Sequence, residues 1–216
     1  LTGTSLAAPY AGETLSVSGG VNHNVTSSVF GGSAMYFSLS ASLFTSIKLV
    51  GIVGNDYPQK GWDVFKSRNI NIDNIQVAQG NTFRWGGKYS KDYSTRDTLF
   101  TKLGVFEKFL PTIHTKDLGT PLVFLGNIHP ELQLSVAKQM QNTEYIVTDT
   151  MNLWIDIAKN KLKEVLGVTN ILLINHEEAE QTIRDMMQGN AFGDAGAIVV
   201  VEEFLIGEEA SFIVIV

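Results

Sequence analysis

The sequence predicts an α/β fold, a mostly parallel sheet flanked by helices, carrying a small β lid. Three observations predict it. From residue 122 onward, short near-continuous apolar runs alternate with segments whose apolar residues recur at helical spacing. Strands alternating with helices of that length imply right-handed βαβ units and parallel pairing. Within residues 75–103 the pattern changes. Thr82 to Ser90 and Thr95 to Leu103 alternate polar and apolar residues around Lys91-Asp92-Tyr93, as a half-exposed hairpin does. Residues 1–30 are rich in Gly, Ser, Thr, Asn and Val, with Glu13 the one acidic residue and no Lys or Arg, which suits short strands and turns. The lid strands are expected within about 5–30 and 75–103, inside one domain spanning 1–216.

The elements follow in order. Gly31-Gly32-Ser33 opens a helix over Ala34–Phe44, with Ser33 as its N-cap. Ile47–Val53 is a buried strand ending at Gly54-Asn55-Asp56. Gly61–Arg68 is a helix with Trp62, Val64 and Phe65 inward. After the hairpin, Leu122–Leu125 is a strand and Glu131–Met140 a helix. Tyr145–Thr148 is a strand, and Leu153–Leu166 a helix with Ile157, Leu162, Val165 and Leu166 inward. Asn170–Ile174 is a strand, Glu177–Met187 a helix with Ala179, Ile183 and Met186 inward, and Ala197–Val201 a further strand.

Composition narrows the function classes. The chain has 216 residues, 44% of them hydrophobic, enough for a sizeable core. The formal net charge is −6 and the basic residues are scattered, so no stripe exists to neutralise a nucleic-acid backbone. A nucleotide is compatible, since amides at a helix start and one or two cations hold phosphates. Absence of cysteine removes disulfides, thiolate catalysis and Cys-based zinc sites from this chain. His23, His114, His129 and His176 show no i,i+4 metal spacing. The longest apolar runs, Ala197–Val201 and Phe212–Val216, are far below membrane-spanning length. Leu1 to Tyr10 lack a basic start and an apolar core, so no signal peptide is read and a cytoplasmic location is the default. A start at Leu1 and an end in an apolar run set the expectation of residues missing beyond both ends.

In an open α/β sheet, ligands bind beyond the carboxyl ends of the strands. The residues expected there are Gly54-Asn55-Asp56, Gly126-Asn127, Asp149-Thr150-Met151-Asn152 and Asn175-His176-Glu177-Glu178. Carboxylates and amides of this kind suit sugar hydroxyls, or a magnesium ion held partly through water. Other readings stand beside each. Asn175-x-x-Glu178 has capping-box spacing, Asp149-Thr150 can cap the following helix, Asn127 is a turn former, and Gly54-Asn55-Asp56 is an ordinary loop signature. Gly31-Gly32 either permits close backbone approach to a ligand beside free helix-start amides or makes a tight turn.

Several of these stretches, in this order, resemble one known family. Gly31-Gly32-Ser33-Ala34 before an apolar helix, then Lys48-Leu49-Val50-Gly51-Ile52-Val53-Gly54-Asn55-Asp56, is similar to the N-terminal signature of PfkB (ribokinase-type) carbohydrate kinases. Thr82-Phe83-Arg84, Phe124-Leu125-Gly126-Asn127-Ile128, Thr148-Asp149-Thr150-Met151-Asn152 and Leu173-Ile174-Asn175-His176-Glu177-Glu178-Ala179 follow in the family's order. The resemblance covers roughly residues 28 to 187 and fades after residue 188. It implies a ribokinase-like domain with a β lid, using ATP and Mg2+ to phosphorylate a hydroxyl of a sugar or nucleoside. It implies that Gly31, Gly32 and Ser33 contact the acceptor, with Asn127 at the neighbouring strand end. Asn175 and Glu178 would position magnesium and the phosphates, Glu178 through water, and Asp149 would lie near the phosphate path. It also raises a homodimer through the lid as one option. Specificity would sit in lid side chains such as Arg84, Tyr89 and Arg96.

The chain departs from the family twice. The Asp expected five residues after Gly3 is Ala8, whose methyl accepts no hydrogen bond from a sugar. The Gly-Ala-Gly-Asp run, whose amides form an anion hole and whose Asp is the base, is absent. Gly193-Asp194-Ala195-Gly196 is the nearest run. Its order differs and the strand-like Ile198-Val199-Val200-Val201 follows, so Asp194 is a candidate base only by proximity of motif. Two readings result: a kinase whose base lies beyond this chain's end, and a non-catalytic relative that binds a ligand or partner without turnover. A dinucleotide-dependent oxidoreductase would need Gly-x-Gly-x-x-Gly after the first strand, and none occurs.

Overall fold

The computed structural model describes residues 2–6, 10–19, 23–89 and 96–174. Strand β1 (Thr2–Leu6) leads into a hairpin of β2 (Tyr10–Gly19) and β3 (His23–Gly31), then α1 (Ser33–Ala41). β4 (Ser46–Gly54), α2 (Gln59–Ser67) and β5 (Asn71–Ala78) follow, and a second hairpin is made by β6 (Arg84–Tyr89) and β7 (Arg96–Lys102). Two short 3-10 turns, Gly104–Lys108 and Thr115–Asp117, precede β8 (Leu122–Leu125). The described chain ends with α3 (Pro130–Gln139), β9 (Tyr145–Asp149), α4 (Asn152–Ile157), α5 (Lys159–Leu166) and β10 (Ile171–Leu173).

Six strands form a parallel sheet in the order β10-β9-β8-β1-β4-β5. Numbered by their sequence within this sheet, they run 3-2-1-4-5-6 from the β5 edge, the doubly wound order. The two hairpins form a second, four-stranded sheet in the order β3-β2-β6-β7, joined by parallel pairing of β2 with β6.

β4 shows why the main sheet is internal. Ile47, Leu49 and Val53 pack on one face with Ala34 and Met35 of α1 and Phe65 of α2. Val50 and Ile52 pack on the other with Val123, Leu125, Leu134, Val136 and Val165. A strand covered on both faces reads as a near-continuous apolar run, as this one does apart from Lys48. Among the described residues no helix is long and apolar enough to cross a membrane.

Several expectations needed correction. The N-cap position of α1 is Gly32, at φ 90°, and Ser33 is the first helical residue. The chain turns from β3 into α1 through left-handed backbone, which glycine adopts without steric cost. The helix stops at Ala41, leaving Leu43 and Phe44 exposed. The helix expected over Leu153–Leu166 is broken at Ala158 into α4 and α5. Ile155, not Ile157, is then the buried residue, and Ile157 is 67% exposed. β5 was not anticipated as a strand; Asn71, Asp73, Asn74 and Gln76 interrupt any apolar run there. The expected helix Glu177–Met187 and strand Ala197–Val201 lie outside the described residues.

Asn74 explains the polar strand. It is 3% exposed, donates from Nδ2 to Asp117 Oδ2 (2.8 Å) and accepts from His114 N (2.7 Å). Lys48 Nζ, from an otherwise apolar strand, reaches Asp117 Oδ1 at 2.8 Å. The buried Asp117 thus ties β4, β5 and the approach to β8 at the amino end of the sheet. Burial alone would raise its pKa. Hydrogen bonds from Lys48 and Asn74 and the nearby ammonium charges outweigh that and hold it below the ordinary 3.8. A depressed folded-state pKa stabilises fully above the unfolded value and is lost as pH falls through the folded one. Asp117→Asn is expected to lower the unfolding free energy at pH 7 by about 2–4 kcal/mol in urea titration. The deficit should shrink as pH falls below 3.8. A deficit that does not change with pH would contradict the assignment.

Candidate functional site

The doubly wound order places a crevice at the carboxyl ends of β1 and β8, where the chain's windings diverge to either side. Both ends of the β2–β3 hairpin come here: β2 follows β1, and β3 ends at Gly31, paired with Tyr10. The start of α1 is therefore at the crevice. Gly31 and Gly32 are buried, and among the described residues no side chain caps the helix. The first-turn amides of a helix have no acceptor within the helix itself. Phe37, one turn on, stacks on Phe124 of β8, with ring centroids 3.8 Å apart and planes 4° apart. That contact locks α1 to the strand on the far side of β1.

The β8–β9 side of the crevice is organised by Gln133 of α3, which sequence reasoning missed. Its side chain is fully buried, and Nε2 donates to Gly126 O (2.9 Å), Asp149 O (2.9 Å) and Leu125 O (3.3 Å). Three carbonyls around one group fix it as the amide nitrogen. Gln133 Oε1 and Thr150 Oγ1 are buried without a hydrogen-bond partner among the described residues. A signal was available: position 133 lies on the apolar stripe with Val136 and Ala137, where a surface Gln would not fall.

The expected site residues divide as follows. Gly31, Gly32 and Ser33 stand at the crevice. Asp149 ends β9, next to β8 on the same edge. Asn127 follows β8, but its Oδ1 already accepts from Trp154 Nε1 (2.8 Å), which docks α4, while His129 packs edge-on against Trp154. Gly54-Asn55-Asp56 is more than a loop. Asp56 Oδ1 accepts from Thr82 N (2.7 Å) and Thr82 Oγ1 (2.6 Å), and Arg84 is 3.6 Å from Oδ2. Burial opposes ionisation of Asp56, yet these donors hold its pKa below the usual value. Thr82 and Phe83, expected in the hairpin, are instead its buried foot. Ala8, Asn175, Glu178 and Asp194 lie outside the described residues. Among those described, no group of three or more acidic or His side chains could hold a metal ion.

With this geometry the chain resembles solved kinases. It superposes on a nucleoside kinase of Methanocaldococcus jannaschii, described as an archaeal member of the ribokinase family, with TM-score 0.66 and 18% identity. The match covers 88% of this chain and 64% of that one, so the chain spans less than two thirds of the archaeal structure. The fold is ribokinase-like. A Burkholderia thailandensis nucleoside kinase in complex with inosine gives TM-score 0.68 and 12% identity, over 90% of this chain and 67% of that one. An uncharacterized sugar kinase from Pyrococcus horikoshii in complex with ATP gives 0.66 and 16%, over 86% and 66%.

The sequence comparisons point elsewhere. Residues 130–216 match the model of the phosphoribosylglycinamide synthetase ATP-grasp (A) domain. Phosphoribosylamine–glycine ligase of Pseudomonas aeruginosa is 67% identical over 46 residues, 21% of this chain and 11% of that protein. The Escherichia coli ligase is 65% identical over the same length. The stretch shared with these relatives is thus about a ninth of their length. The ATP-grasp match starts in α3, includes β9 to β10 of the ribokinase-like sheet, and contains Asn175, Glu178 and Asp194.

Gln133→Leu is expected to lower stability by about 2–4 kcal/mol, since it leaves carbonyls without their buried donor. Gln133→Glu should cost more, because it sets carboxylate oxygens against three carbonyl oxygens. Thermal unfolding of both variants checks the order; a more stable Glu variant would contradict the three-carbonyl clamp.

Proposed function

We propose that the protein is an ATP-dependent kinase that transfers the γ-phosphoryl group to a hydroxyl of a sugar or nucleoside. One observation carries the reading: the uncapped, glycine-led start of α1 opens onto the crevice of a doubly wound ribokinase-like sheet, and a separate β sheet hangs from the same edge. Phosphoryl transfer needs mainly positioning and electrostatic stabilisation. In this reading the amides after Gly32 orient the acceptor and the second sheet is the lid that excludes water. The triphosphate lies towards β9 and β10. Three strand spacings separate β1 from β10, about 14 Å, which leaves room for acceptor and phosphates side by side. Asp149 would lie on the phosphate side, with Asn175 and Glu178 following β10.

Magnesium fits this donor set in one form only. A single carboxylate such as Asp149, with Glu178 through water, suits an ion that keeps most of its waters and is held chiefly by phosphates. When bound, the ion neutralises phosphate charge. Asn175→Ala is expected to weaken binding of the magnesium nucleotide, measured by calorimetry, more than it lowers stability. Unchanged ATP affinity with a stability loss of about 1 kcal/mol would support a capping role instead.

A second reading has its own observation, the ATP-grasp likeness over residues 130–216. It would make ATP drive a ligation, as the names of the ligase relatives suggest, rather than phosphorylate a hydroxyl. Against it, the 46 closely related residues are too few to bury a core of their own, and β9 and β10 are built into the ribokinase-like sheet. A coupled ATP-consumption assay separates the readings. Stimulation by a sugar or nucleoside supports the kinase. Stimulation only by phosphoribosylamine with glycine supports the ligase. No stimulation by any acceptor overturns turnover and leaves ligand binding alone.

A further inference from the structure

The β6–β7 hairpin joins the main body through two legs, residues 79–83 and 103–106. Val105 N donates to Asn81 O (2.9 Å), tying the legs to each other. The first leg is tied to the end of β4 by four more bonds. Gly80 N donates to Asn55 Oδ1 (2.9 Å), Thr82 N and Oγ1 both donate to Asp56 Oδ1, and Gly54 N donates to Thr82 Oγ1 (2.9 Å). The packing leaves no slack. A Cβ on Gly54 would overlap Gly80 O, and one on Gly104 (φ 56°) would overlap Asn81 O. Phe83 packs edge-on against Phe106 of the second leg at 5.8 Å.

This is more connection than a loop crossing needs, and it is placed at the crevice edge. Thr82, 2% exposed, is its relay: one hydroxyl donates a hydrogen bond to a carboxylate and accepts one from a strand amide. Only Ser or Thr can do both in that space. Bonds to the charged Asp56 oxygen are the stronger, charge-assisted kind. We propose that Asp56 and Thr82 are positioning residues that latch the β6–β7 hairpin at a set angle over the crevice, and so fix the wall that selects the acceptor. The acceptor part rests on the kinase reading; the latch itself does not.

Native-state hydrogen exchange on the full chain tests the latch without any substrate. Thr82→Val keeps the shape and breaks both hydroxyl bonds. It should speed exchange of amides in β6 and β7 about tenfold, while β4 and β8 stay unchanged, and Thr82→Ser should restore protection. Asp56→Asn, which keeps an acceptor oxygen and loses only the charge, is the milder variant, with about threefold acceleration at the same amides. Equal acceleration in both sheets, no acceleration in the hairpin, or failure of Ser to restore it would each overturn the latch. Where an acceptor turns over, Thr82→Val should raise its KM about tenfold and leave the KM for ATP unchanged. A wild-type chain without turnover sinks the kinase reading alone, since the exchange result stands apart from it.

Discussion

Parallel pairing of β1 with β4 on one side and β8 on the other is the constraint from which the rest of the molecule follows. A parallel sheet sends every carboxyl end to one edge, and a sheet that winds outward from its first strand leaves a gap beside that strand. Each connection at that edge must then turn back without filling the gap. The β2–β3 hairpin, the foot of β6–β7 and the start of α1 all arise there. The crevice is a consequence of strand order rather than of any one loop.

Such a sheet creates a problem of polar groups at both ends, and three side chains resolve it. At the amino end, Asp117 gathers Lys48 and Asn74 from two strands. At the carboxyl end, Gln133 takes carbonyls from β8, its following loop and β9, while Asp56 takes the donors that come from the lid foot. A buried polar group is costly unless it is bonded, so Asp117 and Gln133 hold their neighbours to one geometry. The two at the carboxyl edge, Asp56 and Gln133, stand at the ends of β4 and of β8 and β9, the strands on either side of β1. The likeness to a ligase adds a second tension. Residues 130–216 match an ATP-grasp model, and the part of that stretch that carries β9 and β10 pairs into the ribokinase-like sheet.

Much of this was legible where one physical signal dominated. β8 has the bounds expected, because a four-residue apolar run between Pro121 and Gly126 has few other uses. The glycine pair before α1 was legible, although the left-handed turn fell on Gly32 and not on a capping Ser33. Signals failed where a side chain serves a distant partner. β5 went unread as a strand because its polar Asn74 is there for Asp117, 43 residues away. The role of Gln133 went unread because its three acceptors come from two strands and a loop. Ile157 looked buried because the break at Ala158 resets which face of the helix turns inward.

By itself the sequence determined the alternation of strands and helices, the parallel character of the sheet, and the glycine-led start of α1. These follow from local periodicity and from backbone freedom at glycine, which neighbouring residues alone express. Tertiary structure decided the strand order, the partners of Asp56, Asn74, Asp117 and Gln133, and therefore which polar residues border the crevice. A hydrogen bond between residues far apart in the chain leaves no local pattern, because its requirement is a position in space.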